Sequence, residues 1–105
     1  MAERTGVSEI DEPLIVEASK STKGFFHLHE EVQKTTVAFG TAMLEFARDP
    51  SEMNRGSLYV ALIKLGQGDE QRVAIEFAAN LLAEDKKRAL EDTYVARTRE
   101  GVEQS

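Results

Sequence analysis

His27 and His29, followed by Glu30 and Glu31, are the only histidines in the chain and the one cluster whose residue types suit a metal ion. On a helix, Glu31 follows His27 at i,i+4 and Glu30 follows it at i+3, so one imidazole and two carboxylates share a face. Positions 27 and 29 point about 200° apart on a regular helix, so the two rings do not meet at one ion. Zinc takes three or four protein ligands, and no second histidine cluster supplies the rest. His27, Glu30 and Glu31 are therefore an incomplete ligand set, and no metal or cofactor is expected. His29 borders an apolar stripe, a setting in which an imidazole can sense pH.

The other reactive side chains lack context. Glu45 and Glu76 each precede a phenylalanine, but adjacent residues on a helix face different ways, so neither carboxylate is placed in apolar surroundings for acid–base work. Ser51 and Ser57 have no nucleophile-elbow setting, and no Glu-x-x-His pair is present for a di-iron bundle. Gly66-Gln67-Gly68-Asp69 puts a glycine pair before a helix start, as a phosphate cradle does. No strand precedes it and the Walker lysine is missing, so the segment reads as an αα-turn. The chain has no cysteine, which removes disulfides, thiolate metal sites and thiol nucleophiles. The expected protein is not an enzyme.

Bulk properties narrow the partners. The 105 residues hold one domain of modest core. A net charge of −6 opposes DNA, RNA and anionic lipid. Lys86, Lys87 and Arg88 lie among Glu84, Asp85, Glu91 and Asp92, so they form a solvated face and no basic patch. No apolar run approaches the ~20 residues of a membrane span, and the first residues lack an apolar signal core. A cytoplasmic protein with no nucleic-acid or membrane partner is expected.

The elements that would position these residues are helical. Phe25, Val32, Phe39 and Phe46 recur at seven-residue spacing, with Leu28, Thr35 and Ala42 between them, which aligns them on one helix stripe. The spacing predicts a helix from Ser21 or Thr22 to Arg48. Val37, Met43 and Leu44 lie off that stripe and make this helix central. Gly40 inside it costs about 1 kcal/mol relative to Ala and marks close approach of another helix. Asp49, Pro50 and Glu52 form a start signal, with Asp49 as cap, for a second helix over 50–65. A strand over Leu58–Leu65 is the competing reading, rejected because the residues do not alternate. A third helix is expected over 70–100, ended by Gly101, with a stripe of Ile75, Ala79, Leu82, Leu90 and Tyr94 reinforced by Val73, Phe77 and Leu81.

Residues 1–22 read as a flexible or extended arm, because Pro13 biases Glu12 toward an extended backbone; residues 23–105 form the single helical domain. Leu14, Ile15 and Val16 either pack across the chain's own bundle or reach a partner. The expected helices span roughly 37, 24 and 46 Å. A compact three-helix bundle does not cover the whole of the third, which leaves Leu90, Tyr94 and Val95 for another chain. The expectation is an all-α three-helix bundle, or helical hairpin array, with a long C-terminal helix and an extended N-terminal arm. It would act as a protein–protein interaction or assembly module of adaptor, chaperone or inhibitor type, as a homodimer. Its partner-binding residues would be Leu14, Ile15, Val16, Leu90, Tyr94 and Val95. The alternatives are a small-ligand or metal-binding bundle and an acidic decoy for a nucleic-acid-binding protein. No motif names a family.

Overall fold

A computed structural model describes the backbone of residues 12–104 and the side chains of residues 12–95. The elements in chain order are α1 (Glu12–Ser21), a 3-10 turn (Phe25–His27), α2 (Glu30–Arg48), α3 (Glu52–Leu65) and α4 (Asp69–Gln104). The fold is all-α, as the periodicity requires, with no strand among the described residues.

Residues 12–21, expected within the extended arm, are helical. Pro13 lies in the first turn, where its missing N–H leaves no bond unmade. Leu14 and Ala18, one helical turn apart, are both buried, and α1 packs chiefly on α4. An apolar face that α4 can cover outweighs the strand preference of Ile15 and Val16. The part of the expected arm on residues 1–11 lies outside the described residues.

The helix expected from Ser21 or Thr22 to Arg48 is broken near its start. The Thr22 hydroxyl donates back to the Ala18 carbonyl at 2.6 Å, which closes α1. Gly24 then takes a φ of +88°, a left-handed conformation natural only to glycine. Phe25 is still buried, but through a turn and not through helix periodicity. Its ring stacks on Phe77 with centroids 5.4 Å apart. The seven-residue series is therefore not the core line. Val32 and Phe46 are only half-buried, whereas Thr36, Phe39, Gly40 and Leu44 form the buried face of α2.

Gly40 shows the close approach expected of it. A Cβ there would lie 2.6 Å from Cδ2 of Phe77, so α4 rests directly on the α2 backbone. Gly40 meets Phe77, and Arg48 pairs with Asp85. Eight residues advance on both helices between these contacts, so α2 and α4 run parallel. The α3 helix returns between them in sequence and packs mainly on α2. Contacts of the turn after α1 descend α4, from Asn80 on Thr22 to Glu76 on Lys23, so α1 is antiparallel to α4.

Ser51, not Asp49, caps α3. Its side chain accepts from the Asn54 N–H, and Asp49 serves as the C-cap of α2. Asn54 ties the two helices by donating to the carbonyls of Asp49 and Glu45. The glycine pair forms an αα-turn, with Gly66 at φ +81° and Gly68 at φ +107°. The backbone of α4 continues helical through Gly101, past the expected stop.

Two adjoining clusters make the core. Leu14, Ala18, Phe25, Leu44, Phe77 and Leu81 form one, and Phe39, Leu65, Ala74 and Ala78 the other. On α4 the buried stripe is therefore Ala74, Phe77, Ala78 and Leu81. Of the expected stripe, Leu82 is half-buried, but Ala79 is exposed and Ile75 is 52% exposed. Phe77 and Leu81, expected as reinforcement of that stripe, are fully buried, and the Phe77 ring fits because Gly40 leaves it room.

Candidate interaction surface

The metal candidates do not converge. His27 closes the 3-10 turn, Glu30 and Glu31 open α2, and all three are exposed. His29 is the α2 N-cap: its Nδ1 accepts the Glu31 N–H at 3.4 Å, so the ring occupies a structural position. Among the described residues, no group of three His, Asp or Glu side chains is placed to hold an ion.

The six expected partner-binding residues divide in two. Leu14 is 2% exposed and belongs to the core, with Ile15 packed against it; Val16 alone of that trio faces outward. Leu90, Tyr94 and Val95 are 61%, 71% and 54% exposed. The reason is angular. Nine residues make two and a half turns, so Leu90 points away from the face that carries Leu81, and Tyr94 follows Leu90 at i+4. Arg48 pairs with Asp85 where α2 ends, and α1 lies antiparallel beside the stretch of α4 that follows Asn80.

A second apolar surface was not expected as a partner site. On α3, Met53, Tyr59, Val60 and Ile63 are 80%, 60%, 51% and 74% exposed. Residues Tyr59–Leu65 are apolar almost all round the helix, and such a helix needs neighbours on several sides. The sequence carried that signal, but it was spent on deciding between helix and strand over Leu58–Leu65. Leu58, Ala61, Leu62 and Leu65 face the core; the opposite side is bare.

Between α2 and α3, on the side away from α4, runs an open valley of about 610 Å³. Ala38, Thr41, Ala42 and Glu45 line it from α2. Ser57, Val60, Ala61 and Lys64 line it from α3. Each set is spaced i, i+3, i+4, i+7, which is one stripe of one helix. Two such stripes side by side make the groove a third helix occupies in a bundle. The floor is small and weakly polar, and the two charged groups lie at opposite ends. Few polar groups converge, so the valley is poorly suited to orient a small molecule.

No described helix is long and apolar enough to cross a membrane. No protein-family model matches the chain, and no curated protein or solved structure matches it either.

Proposed function

We propose that this chain is a non-catalytic assembly module of the cytoplasm that works as a helical homodimer. One observation carries the reading: seven large apolar side chains on α3 and on the projecting part of α4 lie outside the core, each at least half exposed. Apolar surface in that amount marks an association site more often than a free surface. The charge of −6 supports a protein partner over a nucleic acid, and the scattered histidines and carboxylates offer no catalytic constellation. Light scattering across a hundredfold range of protein concentration tests the reading. A mass of twice the monomer at the upper end is expected; a monomer mass throughout would sink it.

A further inference from the structure

We infer that the outward side of α3 pairs with the same side of α3 in a second copy of this chain, the two helices lying antiparallel about a two-fold axis beside Leu58. This inference rests on the homodimer reading and names the surface that meets its own copy.

Position on the helix is the first argument. Met53, Gly56, Val60 and Ile63 follow one another at spacings of three, four and three residues, which sets them on one stripe. Leu58, Ala61, Leu62 and Leu65 pack on the core from the opposite side, about 180° round the helix. Met53, Val60 and Ile63 are 80%, 51% and 74% exposed, and Tyr59 beside them is 60% exposed. The stripe has the spacing of a helix–helix seam, and the fold turns it away from the rest of the chain.

Self-complementarity is the second, and it selects a second copy as the occupant. The stripe is symmetric about residue 58. Met53 stands five residues before it and Ile63 five after, while Gly56 stands two before and Val60 two after. An antiparallel pair centred there sets Met53 against the partner's Ile63 and Gly56 against the partner's Val60. Nothing lies within 4 Å of a Cβ built on Gly56, so the glycine leaves a hole that a valine knob fills. A parallel pair would face glycine with glycine and valine with valine, a gap next to a bulge. Charge agrees. Glu52 and Lys64 stand six residues either side of the centre, so the antiparallel pair brings opposite charges level at both ends. A parallel pair would bring like charges level. Arg55, the other charged residue of α3, lies off the seam.

Area sets the strength. Weighted by their exposures, Met53, Tyr59, Val60 and Ile63 offer roughly 400 Å² per chain. That is about half of the ~800 Å² per partner in a stable interface. The pair therefore belongs with small, transient contacts, and dilution separates it.

The chain has no cysteine, so single cysteines report the register. Met53→Cys and Ile63→Cys variants, mixed and oxidised, should cross-link to each other, because the antiparallel pair sets the two positions face to face. Neither should cross-link to itself. In that pair like positions are roughly 15 Å apart along the helix, against at most about 7 Å between the Cα atoms of a disulfide. Gly56→Arg should keep the helical circular dichroism of the parent, since the space is open and arginine is the better helix former. It should weaken dimerisation at least tenfold by light scattering. A parent that stays monomeric overturns both the homodimer reading and this inference. A dimeric parent whose Gly56→Arg variant dimerises equally well overturns the inference alone and leaves the homodimer standing. Failure of the mixed cysteine variants to cross-link, or cross-linking of each with itself, likewise overturns it.

Discussion

Gly40 and Gly56 are both glycines inside helices, yet they meet opposite surroundings. Phe77 is fully buried against the Gly40 backbone, whereas nothing lies within 4 Å of a Cβ built on Gly56. Alanine improves helix propensity by about 1 kcal/mol at either site. At Gly40 that gain is opposed by overpacking of about 1–3 kcal/mol, because a buried ring must move. Gly40→Ala is therefore expected to lower the melting temperature by several degrees. Gly56→Ala is expected to raise it, and thermal denaturation of the pair should move in opposite directions. The role of Gly40 was legible because a glycine amid good helix formers needs a reason. The place of Phe25 was not: its seven-residue spacing from Val32 mimicked one helix, while Gly24 and the Thr22 hydroxyl, two residues of local turn chemistry, broke the register.

At the scale of elements, the joins hold the prediction. Asn54 donates to two carbonyls at the end of α2 and gives its own N–H to the Ser51 cap. Asn54→Ala leaves those α2 carbonyls without their side-chain partner, and a loss of about 1–2 kcal/mol is expected by urea denaturation. His29 caps α2 through a long bond of 3.4 Å. Aspartate is a preferred cap and adds negative charge at a helix N-terminus, so His29→Asp is expected to stabilise by about 0.5–1 kcal/mol. A melting temperature unchanged or lowered would show that the imidazole has a role other than capping. Helix existence was readable nearly everywhere, since periodicity and glycine punctuation agree. Which face of α4 turns inward was not. Large residues mark the stripe Ile75, Leu90 and Tyr94, but Gly40 makes room for the Phe77 ring, and that turns Ala74 and Ala78 inward against Phe39 and Leu65, about 100° round the helix from Ile75. The competition is settled by the partner helix, and only the fold reveals it. The arm was misread for a related cause. Leu14 and Ala18 gain a covering surface only when α4 is already beside them.

The whole molecule measures 56 × 29 × 25 Å, the outline of a bundle with one long member. Its two bare surfaces, on α3 and on the end of α4, are separated by the core and do not cover one another within one chain. Hydrogen exchange followed at two protein concentrations reports on this arrangement. Amides of residues 56–63 should exchange quickly in dilute solution and gain protection as concentration rises. Amides around Phe77 and Leu44 should stay protected throughout, because global opening governs them. Protection of residues 56–63 that does not vary with concentration would contradict association through that segment.

The parallel course of α2 and α4 has a mechanical consequence. Where α1 and α2 leave it, α4 is held like a beam clamped at one end. The remaining stretch is roughly 20 Å long, so a tilt of about 10° at the clamp sweeps the tip through roughly 3–4 Å. The seat of that lever is the Gly40–Phe77 contact, where no spare volume absorbs rotation. A pull on the tip is thus felt as torque on the ring at the centre of the core, and the close contact of Gly40 with Phe77 is also its fulcrum.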